Sequence, residues 1–149
     1  IVPVISFNYA ARNIDRCRKT LQFALIFGMA LMSAGTVCFA AIPGPMLRVF
    51  SSDDQVIAIG TTAFRIIGVS FLPLVSSLTF PVFFQAAGFS AKSALLTVVR
   101  TVLLFVPLAY AFSRFGLDYF WLTYPVTDTI TSFVGLALYR QFLRRPYPV

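Results

Sequence analysis

The sequence predicts an all-α, polytopic membrane protein of four antiparallel transmembrane helices. Three observations predict it. Of the 149 residues, 58% are apolar and only 11% are charged, whereas a soluble domain carries roughly 25% charge. The mean hydropathy is +0.84. Four stretches are continuously apolar, without the alternation of barrel strands. The 17 Phe, 6 Tyr and 1 Trp also exclude a disordered chain.

A bilayer core about 30 Å thick is crossed by roughly 20 apolar residues rising about 1.5 Å each. The first span covers about 21–42 and holds no charge. The second covers about 56–87 and holds Arg65. The third covers about 91–112, with Lys92 at its start and Arg100 within, and the fourth covers about 119–139 and holds Asp128. Pro43, Gly44 and Pro45 end the first span, and Ser51, Ser52, Asp53 and Asp54 form a polar loop. Gly88 and Ser90 divide the second span from the third, and Ser113, Arg114, Phe115 and Gly116 divide the third from the fourth. Loops this short make successive helices antiparallel.

Basic residues orient the bundle. Arg12, Arg16, Arg18, Lys19, Lys92, Arg140, Arg144 and Arg145 fall on one side, against Arg48 and Arg114 on the other. The positive-inside rule then places segment 1–20, the Lys92 loop and the short basic tail in the cytoplasm, and Asp53 and Asp54 outside. The expected location is the cell's inner (plasma) membrane. The basic clusters read as cytoplasmic anchors touching anionic lipid, not as a nucleic-acid surface. The chain starts with Ile and shows no signal peptide. It reads as a fragment whose upstream part is missing.

Chemistry is narrowed by what is absent. There is no His and no Glu, which removes the usual zinc sites and Ser-His-Asp triads. The chain is expected not to be an enzyme and to hold no metal or cofactor. Cys17 and Cys38 lie at opposite ends of their stretch, so no disulfide is expected. Cys17 is either a spectator thiol or a palmitoylation site.

Polar residues inside the spans carry the functional signal. An intramembrane charge costs about 2.5–3.5 kcal/mol on the translocon scale, so Arg65, Arg100 and Asp128 need a role. The second span, about 48 Å long if straight, exceeds the bilayer and must tilt or bend; Pro73 and Pro81 supply kinks, as Pro107 does in the third. At about 100° per residue, Thr61, Arg65, Ser76 and Thr79 share one side of the second span, with Thr62 nearby. They form a candidate substrate cavity lining, although Ser and Thr can equally serve helix packing. Tyr124, Asp128, Thr131, Ser132, Gly135 and Tyr139 give the fourth span a protein-facing stripe. Arg100 and Asp128 fall at depths of about 13 and 18 Å from the same membrane face, within reach of an ion pair. The alternatives are that Asp128 caps a neighbouring backbone, binds a cation by itself, or pairs with Arg65.

The order of these features resembles the multidrug and toxic compound extrusion (MATE) family. Pro3-Val-Ile-Ser-Phe-Asn-Tyr-Ala-Ala-Arg-Asn13 with Arg16, Arg18 and Lys19 is similar to its segment before helix nine. Phe84-Gln-Ala-Ala-Gly88 is similar to its helix-ten exit. Val99-Arg100 with Pro107-Leu-Ala-Tyr110 resembles helix eleven, and Phe115-Gly116, Trp121 and Pro125-Val-Thr-Asp128 resemble helix twelve. Ala10 stands where glycine is usual, and the second span lacks the carboxylate that some members carry.

The resemblance implies a twelve-helix fold of two six-helix lobes, this chain forming part of the second. It implies export of small organic cations in exchange for Na⁺ or H⁺ by alternating access. The coupling ion would be bound largely outside these residues. The partners implied are membrane lipid, the first lobe and the opening helices of the second. A flippase of lipid-linked oligosaccharide precursors and a non-transporting four-helix subunit are the competing readings.

Overall fold

Helix ends follow capping chemistry more closely than they follow hydropathy. The computed structural model describes residues 1–144, which leaves Arg145 of the expected tail outside the described residues. All its regular elements are helical: α1 (Val2–Ala10), α2 (Ile14–Ala41), α3 (Pro43–Arg48), α4 (Asp54–Ala86), α5 (Ser90–Ser113), α6 (Leu117–Phe120) and α7 (Thr123–Arg144). Asn13 starts α2 by accepting the backbone N–H of Arg16 at 3.1 Å, and Asp53 starts α4 by accepting that of Gln55 at 2.8 Å. Each side-chain oxygen satisfies an N–H that has no partner within its helix.

The expected basic segment 1–20 is thus mostly helix. α1 and the first turns of α2 fold back onto the far end of α4. Ser6 Oγ donates to the carbonyl of Ala86 at 2.8 Å, satisfying an acceptor that the helix end leaves free. Ile5, Cys17 and Leu21 join Phe83, Phe84, Leu96 and Phe142 in the main buried cluster. Hydropathy missed the start of α2 because Asp15, Arg16, Arg18 and Lys19 face outward around a buried Cys17. The Cys17 thiol is 0% exposed and its Sγ–H points to the carbonyl of Ile5 at 3.7 Å. An acyl group has no access to it there. Cys17 and Cys38 are both free thiols.

α2, α4 and α5 are each long and apolar enough to cross a membrane. α7 has 22 residues but is more polar, since Thr123, Thr127, Asp128 and Thr131 interrupt its sequence. Those four side chains are buried in the protein. The chain also breaks at Trp121 and Leu122, so the expected span 119–139 begins as the short α6 and resumes in α7 with Pro125 in its first turn. Pro tolerates that position because the N–H it lacks would be unpaired there.

α4 is the central element, packed against α1, α2, α5 and α7. Against α2 the pairing runs in opposite senses: Gly28 meets Val75, Gly35 meets Phe71, and Gly68 meets Phe39. Against α7 it runs in the same sense, from Ser77 with Asp128 to Phe83 with Phe142. Gly135 makes the second contact close, since a Cβ there would stand 2.6 Å from Phe80 Cδ2.

The turn between α4 and α5 is built on Gly88, whose φ is 83°. Its N–H donates to Gln85 at 3.1 Å and that of Phe89 to Phe84 at 2.8 Å, the paired bonds of a Schellman cap. An L side chain is disfavoured at this φ, so Gly88→Ala is expected to lower stability by about 1–2 kcal/mol. Gly44→Ala, inside α3 with nothing within 4 Å of the new Cβ, is expected to be neutral or mildly stabilising. Thermal midpoints of the purified protein in detergent compare the two; equal losses would contradict the role given to Gly88.

Candidate functional site

Three helices meet at Asp128. Asp128 as a residue is 2% exposed. Arg100 Nε of α5 donates to Asp128 Oδ1 at 2.8 Å, and Ser77 Oγ of α4 reaches the same oxygen at 2.9 Å. The ion pair answers both charges at once. One turn further along α7, Ser132 Oγ lies 2.7 Å from the carbonyls of Pro73 and of Asp128. This places a second polar tie from α7 onto α4 at a proline.

Arg100 is placed by an irregularity in α5. Val99–Phe105 is a π-helical segment, ending two residues before Pro107. A proline ring crowds the carbonyl four residues before it and offers that carbonyl no N–H. The wider π turn is a common way for a helix to take up such a fault, and π-bulges recur at functional sites. Composition gives no signal for it, although Pro107 marked a kink.

Beside the ion pair is a cavity of about 220 Å³ lined by Arg100, Thr101, Phe105, Tyr124, Thr127 and Asp128. Thr123 Oγ1, Thr127 Oγ1 and Trp121 Nε1 are buried without a hydrogen-bond partner among the described residues. Buried polar atoms of this kind are normally satisfied. A space of this size, with several polar groups on its wall, suits ordered water.

A second cavity, of about 570 Å³, lies between α4 and α7. Its wall is apolar apart from Arg65 and Thr129: Ile66 and Val69 come from α4, and Pro125, Val126 and Ile130 from α7. Of the five residues expected to line a cavity, Arg65 does so here. Thr61, Thr62, Ser76 and Thr79 do not line this space. Thr61 and Thr79 donate to carbonyls of their own helix, Ile57 at 2.7 Å and Val75 at 2.6 Å. Thr62 and Ser76 are half-buried. Ser77, one position on from Ser76, is the hydroxyl at the three-helix junction. Adjacent residues differ by about 100° around a helix, and Pro73 blurs the phase between them.

Among the described residues the regular structure is wholly helical, with three helices long and apolar enough to cross a membrane and the Arg–Asp pair turned inward, which is the make-up of a membrane protein. A family model described as MatE matches residues 1–111, and the chain belongs to that family, whose members are transporters and not enzymes. Comparison with curated proteins and with solved structures returns no match. The matched stretch takes in α1 to α4 and most of α5. Arg100 therefore lies inside it and Asp128 beyond it.

Proposed function

We propose that the chain forms part of the second lobe of a secondary-active antiporter. In this reading α2, α4, α5 and α7 are helices nine to twelve of a twelve-helix fold. The protein exports organic cations in exchange for Na⁺ or H⁺ by alternating access between two lobes. The observation that carries the reading is the MatE match across residues 1–111. Supporting it is α4, a helix of 33 residues holding Pro73 and Pro81, with a cavity against one side. A long, proline-interrupted helix beside a cavity is what transporters use to line a path through the bilayer. The test is efflux of ethidium from proteoliposomes of the full-length protein, driven by an imposed Na⁺ or proton gradient. Export under either gradient is expected. Equal retention with and without both gradients would refute antiport.

The orientation follows from the basic residues. Arg12, Arg16, Arg18 and Lys19 flank the start of α2, and Lys92 follows the Gly88 turn; by the positive-inside rule this supports a reading in which these ends are cytoplasmic and the membrane is the cell's inner one. Asp53 is then outside. After Cys17 and Cys38 are replaced with Ala, an impermeant maleimide is expected to label Asp53→Cys in whole cells and to spare Lys92→Cys. The opposite pattern would invert the topology.

A further inference from the structure

The start of α2 carries more positive charge than its surroundings answer. Arg18 turns to the Tyr139 hydroxyl, and Lys92 lies over the rings of Phe84 and Phe89 at 5.5 and 5.0 Å. Arg16 and Lys19 are exposed. Among the described residues their side chains make no ion pair, hydrogen bond or ring contact. Asp15 is the one carboxylate within residues 1–20. It borders a separate hollow with Arg18, Lys19 and Gln22 and forms no ion pair there.

A groove of about 350 Å³ opens beside these two cations, between α1 and α2, lined by Val4, Asn8, Arg16, Lys19, Thr20 and Phe23. The four residues from α2 are spaced at i, i+3, i+4 and i+7, which is one face of a helix. Phe27 continues that face, its ring stacked on Phe23 with centroids 6.0 Å apart, and both rings are exposed. From Arg16 to Phe27 is about 16 Å, roughly half of a bilayer core. Descending α2, the face passes from two cations through a hydroxyl to aromatic rings. A phospholipid has the matching order of phosphate, glycerol and acyl chain. Its phosphodiester takes the guanidinium in a two-pronged contact and the ammonium as a point charge. A zwitterionic headgroup brings a further cation to a place that already has two, and an anionic headgroup does not.

We propose that this groove binds one anionic phospholipid, with Arg16 and Lys19 on its phosphate and Phe23 and Phe27 along an acyl chain. The site needs only that α2 crosses the membrane, and it stands apart from the exporter reading. In the orientation proposed above it faces the cytoplasmic leaflet, where anionic lipid gathers. Unlike a diffuse attraction of basic residues to the membrane surface, such a site uses two particular cations, holds one lipid and requires its chains.

The test counts lipids bound to the full-length protein in uncharged detergent by native mass spectrometry, with dioleoylphosphatidylglycerol and dioleoylphosphatidylcholine as probes. The first phosphatidylglycerol is expected to bind about tenfold more tightly than the first phosphatidylcholine. Arg16→Gln combined with Lys19→Gln is expected to erase most of that difference. Arg140→Gln combined with Arg144→Gln removes the same charge from the same end of the molecule and is expected to leave it. Glycerol 3-phosphate, which has the phosphate without the chains, is expected not to displace the lipid even in excess. Equal affinity of the wild type for the two lipids overturns the proposal. So does an equal loss in the two double variants, which would mark a diffuse basic surface. Displacement by glycerol 3-phosphate overturns the lipid as occupant. If the Arg16 and Lys19 double variant fails to fold, Lys19→Gln alone takes its place: it is expected to lose part of the preference, and an undiminished preference overturns the site.

Discussion

Arg100→Leu is expected to lower the stability of the protein in detergent by about 3 kcal/mol, the lower end for breaking a buried ion pair. The lower end applies because the Arg100 side chain is 26% exposed, against 3% for Asp128. The loss comes mostly from what stays behind. Asp128 keeps Ser77 as a donor but is left as a buried anion. Removing both charges is therefore expected to be milder than removing one. Arg100→Leu combined with Asp128→Leu should regain most of the lost midpoint, since apolar replacement of a buried pair is often near neutral. Thermal unfolding followed by intrinsic fluorescence measures all three variants. A double variant no better than the worse single one would show that the pair is not what holds α5 to α7.

Truncation of the packed aromatic end is expected to cost as much. Phe83 and Phe142 are 0% and 2% exposed, and their rings meet edge to face with centroids 5.4 Å apart. Phe84 and Phe89 pack against Phe142 as well. Phe142→Ala is expected to lose about 3–5 kcal/mol, the range for emptying such a site. Phe23, 68% exposed and facing away from the bundle, provides the comparison: Phe23→Ala should stay within about 0.5 kcal/mol, as surface changes do. The same unfolding measurement separates them. Equal losses would mean that the aromatic cluster is no better packed than the outer face of α2.

Much of this architecture was legible because the bilayer imposes length and composition together. The stretches 21–42, 56–87 and 91–112 fall on α2, α4 and α5. The stretch 119–139 overlaps α7 but hid a break, because Trp121 and Leu122 are as apolar as the helices they separate. The contact between Arg100 and Asp128 was within reach of depth arithmetic alone: two opposite charges at similar height on helices joined by a short loop have strong reason to meet. Ser77 was not. Choosing between Ser76 and Ser77 needs the helical phase beyond Pro73. Helix α1 was hidden for a different reason. Its residues are apolar enough for a core but too few for a span, and what holds them is a distant partner, the carbonyl of Ala86. The cavity at Arg65 depends on how α4 meets α7, a long-range relation that the local pattern around Thr61 and Thr62 does not encode.

The buried cluster sits at one end of the molecule. Ile5, Cys17, Leu21, Phe83, Phe84 and Phe142 all belong to it, and Arg65 lies eighteen residues back along α4 from Phe83, about 27 Å away. Were α4 to move as a unit, the aromatic end would be its fulcrum and the helix its lever arm. A tilt of about 10° about that end would carry the Arg65 level sideways by about 5 Å over such a length. Such a motion would widen or narrow the space beside Val126 and Ile130, and the ties from Ser77 to Asp128 and from Ser132 to Pro73 are what resist it.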